Sequence, residues 1–558
     1  MRHYNLKNKF TKFLAIGILS TSVCTLPSCE GVLEEDVISK IGTGYINTPN
    51  GLNDGVNAAY STFRSFYGTE RGHNLTIFGT DTYTNGSDGG WKFMNFYTSQ
   101  FDSRNGHVRE VWNDFYEGIN TCNAVIDRAP EVSGMEAAVK AQRVAEAKFI
   151  RAHHYFILTQ LFGGVDLQLS ESVIPSKEVS RASISEMYAA IINDLEEAIP
   201  DLEASTSSSD YGRATRPAAE HLLGQVYLTK GYSEAKASGD FANAESYFQK
   251  VIDDYGFELL PDFEDVYRFG NEMNDEVIFS IQYTRDPLTN GGGNNAHLYF
   301  LMEYDIQPGM QRDVANGRPW KRYKPTEYTL NQIFSNRDMD SRYHKSFVHV
   351  FKSNKPGNYN TTFDKSKSTV TFAEGDTAIY LPGYEMSEAE RATKPYQVLT
   401  PSLYTDKLYP TLKKHLDPGR ADKTQAAGGR DYIVFRLADT YLLLAEALMK
   451  QNKMVEATAT INTIRQRAAW PGMELAMQIT PVQLDMDFLA EERARELLGE
   501  QKRWFDLTRW GVLVERVKMF NPDGAPNIQD FHVLRPIPQN QIDRAEGGSN
   551  AFPQNQGY

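Results

Sequence analysis

Between Ala141 and Phe162 the side chains of Phe149, Ile150, Ala152, Tyr155, Phe156, Ile157, Leu158 and Leu161 fall on almost every side of a helix. A helix that is apolar all round has no face to give to water and must be enclosed by other elements. The rest of the chain therefore has to build a shell around this segment. Helical patterns elsewhere offer the material. Ile184 to Ile199 is amphipathic, Pro217 to Tyr232 has its proline near the first turn and Gly231 near its end, and Phe241 to Ile252 follows directly.

The pair from His221 to Ile252, with Gly224, Tyr227, Ala244 and Phe248, reads as a two-helix unit of the tetratricopeptide kind. A second pair is expected over Asp431 to Lys450 and Val455 to Ala468, with a further helix from Asp485 to Gly499. One helical hairpin cannot bury its own apolar face, so several must stack. The fold class is thus mostly α, a scaffold of helical pairs from distant parts of the chain. Between 261 and 430 helical periodicity fades and turn signals cluster, among them Asn290 to Asn295, Gly317-Arg-Pro319, Lys355-Pro-Gly357 and Pro382-Gly383. The expected organisation is 1–28 as a signal peptide, 29–260 as the N-terminal helical part, 261–430 as a loop-rich insertion with short strands, and 431–558 as the C-terminal helical part. Loops on a rigid frame are where binding residues tend to sit.

The N-terminus carries its own message. Arg2, Lys7, Lys9 and Lys12 precede a mostly apolar run from Phe13 to Leu19, and the segment closes on Leu26-Pro27-Ser28-Cys29. This is a cleavable export signal, too short for a membrane span. Leu at −3 and a small residue at −1 resemble the lipobox of bacterial lipoproteins, which makes Cys29 the expected lipidation site and mature N-terminus. The acidic run Glu30, Glu34, Glu35, Asp36 resembles a surface-export signal of Bacteroidetes lipoproteins.

Charge narrows the partners. Net charge is −14, and loss of the signal peptide removes four basic and no acidic residues. So acidic a body lacks the basic stripe that neutralises phosphates, which argues against nucleic acid. Of the three cysteines only Cys122 remains after Cys24 and Cys29, so stability has to come from packing. Aromatics are abundant at 12% of residues, including 30 Tyr, and a Tyr or Trp ring with a polar tip suits a sugar face as well as a core.

Motifs for catalysis and metal binding are weak. His153 and His154 are adjacent, so a helix points them to different sides. Asp338-Met-Asp340 and Asp485-Met-Asp487 each offer two oxygen ligands without the spacing of a calcium loop. Neither a metal nor a cofactor is expected. Glu500, Arg503, Asp506 and Arg509 alternate in sign three residues apart, and their expected role is ion pairing along one helical face among Trp504, Phe505, Leu507 and Trp510.

The block from Glu491 to Gly511 resembles the Glu-Arg…Gly-Glu-x-x-Arg-(Trp)-x-Asp-Leu-x-Arg-Trp signature of the RagB/SusD family. Three more segments resemble that family in the expected order: Ala145 to Ala152 running on to Leu161-Phe-Gly-Gly164; Phe435 to Ala447 with Ile461 to Arg465; and Pro536-Ile-Pro538 with the tail Gln554 to Tyr558. The resemblance covers nearly the whole chain. It implies an outer-membrane nutrient-binding lipoprotein with a SusD-like fold, working with a SusC-like TonB-dependent transporter to import a glycan, without catalysis. Asp439 stands where the family often has Glu, and Gln501 where it often has Gly.

Two loop regions offer a ligand face. In the first, Trp91 stands beside glycines, with Asp81, Tyr83, Asn85 and Asp88 near it in sequence. In the second, Tyr299 and Trp320 are accompanied by Arg318 and Arg322. The expectation is that the rings stack on sugar faces while acids, amides and arginines bond hydroxyls. Two other readings stay open: a scaffold binding protein, peptide or glycopeptide, and, less favoured because the ordered carboxylates sit beside arginines, a glycoside hydrolase.

Overall fold

The computed structural model describes residues 43–174, 176–205 and 209–558. The signal peptide, Cys29 and the acidic run after it lie outside these residues. Twelve helices of seven or more residues are present among those described: α1 (Pro49–Ser61), α2 (Glu70–Thr76), α3 (Gly106–Arg128), α4 (Ala137–Phe162), α5 (Ile184–Ala198), α6 (Arg216–Lys230), α7 (Asp240–Asp253), α8 (Leu437–Lys450), α9 (Met454–Ala468), α10 (Met486–Glu496), α11 (Arg503–Arg509) and α12 (Leu513–Phe520). Nine short strands accompany them: β1 (Tyr83–Asn85), β2 (Val277–Ile281), β3 (Tyr323–Pro325), β4 (Val350–Lys352), β5 (Gly357–Asn360), β6 (Thr369–Phe372), β7 (Thr377–Tyr380), β8 (Gln397–Val398) and β9 (Tyr432–Arg436).

The all-apolar segment is the buried half of α4, where every residue from Ala145 to Phe162 except Lys148 and Gln160 is buried. It packs between α3 and α5. Starts of helices follow their caps: Asn105 accepts from Val108 N at α3, Ser183 and Glu186 form a reciprocal capping box at α5, and Thr215 precedes Pro217 at α6. The α6–α7 pair closes tightly because Gly224 has no side chain. A Cβ there would lie 2.8 Å from the Phe248 ring.

Stacking then jumps across the sequence. α7 packs on α8, nearly two hundred residues away, and α8 packs on α9, so the C-terminal pair continues the row begun by α6 and α7. One stretch expected as helix is a strand: Tyr432–Arg436 forms β9 and pairs antiparallel with β2 before α8 begins at Leu437. Its residues Tyr432, Val434 and Phe435 are aromatic or β-branched, and the pairing lets them seal the core rather than start the helix. The loop-rich region holds the remaining small sheets, with β4, β7 and β8 in one and β5 and β6 in another. Residues 46–558 form one compact unit, within which the expected boundaries at 260 and 430 both fall. The principal apolar cluster runs from Leu52 to Phe552.

The Glu491–Gly511 block forms a buried ion network rather than a ladder along one helix. The backbone turns at Gly499 and Gln501, both with positive φ, so Glu500 sits outside α11. Glu500 pairs with Arg436 and Lys414, Arg503 with Asp81, and Arg509 with Glu446; of the expected ladder only the Asp506–Arg509 pair forms. Buried charges need partners at good geometry, and these come from segments that only the fold brings near. Burial would raise the Glu496 and Glu500 carboxyls, but the surrounding arginines, with Lys414 beside Glu500, bring both down to about 2. They are carboxylates at neutral pH, without a proton to donate.

Candidate ligand-binding face

The two loop regions meet through a short antiparallel pairing. β1 and β3 register Tyr83 with Pro325, Thr84 with Lys324 and Asn85 with Tyr323. Beyond the strands, Gly86 N donates to Arg322 O at 2.9 Å and Asp88 N to Lys321 O at 3.3 Å. The regions that look like two platforms in sequence therefore share one face.

Trp91 is half-buried and stacks on His107 with ring centroids 3.7 Å apart and an interplanar angle of 28°. His107 is a neutral backing ring: burial, helped by Arg71, lowers its pKa to about 3. Its orientation is fixed by Asn74, whose Nδ2 donates to His107 Nδ1 at 3.1 Å while Oδ1 accepts from the Tyr323 hydroxyl at 2.6 Å. One Trp91 face is thus held from behind by a rigid relay that reaches β3. One turn before Asn74 on α2, Glu70 receives Arg322, which joins the regions electrostatically with Nε 2.8 Å from Glu70 and Nη1 3.4 Å from Asp88. The same guanidinium lies 5.1 Å from the Trp320 ring centroid, and that of Arg318 lies 5.9 Å from it. Trp320 is therefore a cation-flanked ring with Tyr299 at 5.9 Å. Arg318 also donates to Thr424 O at 2.8 Å.

Four of the sequence-derived candidates do not reach this face. Asp81 is fully buried, with both oxygens on Arg503 at 2.6 and 2.7 Å and Oδ2 also 2.8 Å from Arg516. Tyr83 and Tyr299 are core rings at 0% and 1% exposure, packed against Phe300 and Tyr323 respectively. Asn85 is buried and donates to Asp523 at 3.3 Å. Asp81 is drawn in by distant arginines, while β1 is buried on both faces and the short helix Ala296–Tyr299 is buried throughout; none of this can be read locally. Asp88, Trp91, Arg318, Trp320 and Arg322 stay half-exposed or exposed. Sequence reasoning does not single out Glu70, Asn74 and His107: they flank the Trp91 loop within about fifteen residues, but only the packing of α2 and the start of α3 turns them toward it.

The remaining motifs are structurally engaged. His153 Nε2 meets the Tyr67 hydroxyl at 2.9 Å and His154 Nε2 meets Thr62 Oγ1 at 2.7 Å, while the two rings, expected on different sides, bring their Nδ1 atoms to 3.4 Å. Asp340 pairs with Arg342, Asp485 caps α10, and Asp487 pairs with Arg516.

Residues 272–558 match the family model described as "SusD family", and residues 33–228 match one described as "Starch-binding associating with outer membrane". The chain belongs to the SusD family. It is 26% identical over 557 residues to SusD-like protein P2 of Formosa agariphila, covering 96% of this chain and 97% of that one. It is 25% identical over 442 residues to the starch-binding protein SusD of Bacteroides thetaiotaomicron, covering 77% and 75%. Among solved structures it resembles surface glycan-binding protein A of Bacteroides thetaiotaomicron in complex with laminarihexaose, with a TM-score of 0.64, 21% identity and coverage of 91% and 99%. The SusD fold is thereby shown, as is the mostly helical class expected from sequence.

Proposed function

We propose that this chain is a lipid-anchored protein of the outer cell surface that binds a glycan and hands it to a SusC-like TonB-dependent transporter, without cleaving it. The observation that carries the binding part is Trp91, half-exposed and stacked on a neutral His107, on the same face as the Arg322–Glu70–Asp88 cluster and Trp320. An aromatic plane beside charged hydrogen-bonding groups is what a sugar ring with its apolar face and hydroxyl edge requires. A relative named for starch and a structural neighbour holding laminarihexaose support the same ligand class. The lipobox at Cys29 supports the anchor, and family membership supports the transporter.

The test is affinity electrophoresis of the mature chain in gels containing neutral polysaccharides. The Trp91→Ala/Trp320→Ala variant should lose retention by the polysaccharide that retards the wild type. A correctly folded double variant retained as strongly as the wild type would refute the assignment of this face. Prolonged incubation with the bound polysaccharide should release no reducing sugar.

A further inference from the structure

A second group of aromatic side chains lies in the loop-rich region. Tyr384 is 59% exposed, and Val350, directly across the β4–β7 pairing from Tyr380, is 38% exposed. Tyr380 and Tyr396 are half-buried, with ring centroids 6.0 Å apart at 74°, and Tyr384 lies beside Tyr380. The topology explains the convergence: Tyr380 ends β7, Tyr384 follows the Pro382-Gly383 turn, and Tyr396 enters β8, whose Val398 pairs parallel with Tyr380. Below them is an apolar cluster of its own, containing Phe351, Ile379, Leu381 and Leu399. Among the described residues no hydrogen bond, ion pair or ring contact joins these tyrosines to the Trp91 face.

We propose that Tyr380, Tyr384 and Tyr396 form a second glycan-contact site, for an uncharged polysaccharide chain. The proposal rests on the glycan-binding reading above and extends it to a second surface of the same molecule. Tyrosine is the residue type that combines an exposed apolar plane with a hydroxyl able to bond a sugar hydroxyl, and three of them meet here at the end of one sheet. Several charged groups nearby are already engaged. Lys367 and Arg391 both pair with the buried Asp364, at 3.1 and 3.2 Å, and Glu385 accepts from Ser402 N at 2.6 Å and from the Thr400 hydroxyl at 3.1 Å. With Lys367 and Arg391 held on Asp364, a sulfated or uronate chain finds few ready cations beyond Lys394, whereas a neutral chain needs none. Two sites on one compact unit also let a long chain that is held at one site meet the other at high effective concentration, an advantage a short oligosaccharide cannot use.

The experiment compares the mature wild type, Tyr384→Ala/Tyr396→Ala, Trp91→Ala/Trp320→Ala and the quadruple variant. Each is run by affinity electrophoresis on the retarding neutral polysaccharide and by calorimetry on its hexasaccharide. The tyrosine substitutions are at the surface, and an unchanged urea midpoint checks the fold. The tyrosine variant should lose about tenfold in retention by the polymer while its hexasaccharide affinity stays within about twofold of wild type. The tryptophan variant should keep a residual polymer retention that vanishes in the quadruple variant. Polymer retention of the tyrosine variant equal to wild type, with the tryptophan variant impaired, overturns the second site and leaves the first standing. Loss confined to the tyrosine variant supports the second site and refutes the first.

Discussion

Asp81→Asn is the most informative single substitution, because sequence places Asp81 on a ligand loop and the fold places it inside. Its carboxylate holds Arg503 of α11 through two bonds at 2.6 and 2.7 Å, and Arg516 of α12 at 2.8 Å. Arg516 also donates to the Tyr328 hydroxyl. The amide conserves volume, so no cavity opens, but the buried Arg503 guanidinium loses its counter-charge and Arg516 keeps only the exposed Asp487. Breaking a buried pair from one side costs about 3–5 kcal/mol, against typical domain stabilities of about 5–15 kcal/mol. Burial alone would raise the Asp81 carboxyl, and Arg503 and Arg516 override it, leaving it below its ordinary value. A depressed carboxyl contributes fully above its unfolded pKa of about 3.9, and the contribution fades as pH falls through the folded value. Urea unfolding followed by tryptophan fluorescence should therefore show a deficit of about 3 kcal/mol or more that is constant from pH 8 to pH 5 and closes only in stronger acid. Glycan retention per folded molecule should be unchanged. A deficit below about 1 kcal/mol, or lost retention at wild-type stability, would refute the structural role.

Acid should weaken the wild type before its carboxylates titrate. Burial lowers His73, His154 and His221 to about 3 each, so the unfolded chain takes up these protons near pH 6.5 and the folded chain does not. Their contribution is complete above pH about 6.5 and declines below it, approaching about 4 kcal/mol per pH unit once all three are protonated in the unfolded state; equal urea midpoints at pH 7 and pH 5 would contradict this. Gly72→Ala should destabilise by about 2 kcal/mol or more and weaken glycan retention, because a Cβ there would lie 1.8 Å from Phe66 O and would displace α2, which carries Glu70 and Asn74. Cys29→Ala should leave soluble glycan binding intact and abolish surface retention, measured by cell fractionation; loss of binding in solution would break the separation of anchor from recognition surface.

The helical framework was legible because it rests on periodicity, which is local. The apolar run ending at Phe162, the Pro217 start and Gly231 end, and the helical pair within His221–Ile252 each survive as read, to within a few residues. Where a segment's fate depended on a partner, local reading failed: Tyr432–Arg436 became a strand because β2 was there to pair with it. The proposed binding face divided in the same way. Trp91, Trp320, Arg318, Arg322 and Asp88 were visible as aromatic and polar residues in glycine-containing loops, whereas His107, Asn74 and Glu70 gave no local signal.

Sequence by itself determined the family, the helical class and the residue types offered for recognition, since these follow from short-range pattern and ordered motifs. Tertiary structure alone decided which of those residues face water. Asp81 and Asp88 are seven positions apart on either side of the three-residue strand β1, yet one is sealed under two arginines and the other is exposed. The difference is set by Arg503 and Arg516, more than four hundred residues away, because a buried charge is tolerable only where the fold delivers its counter-charge.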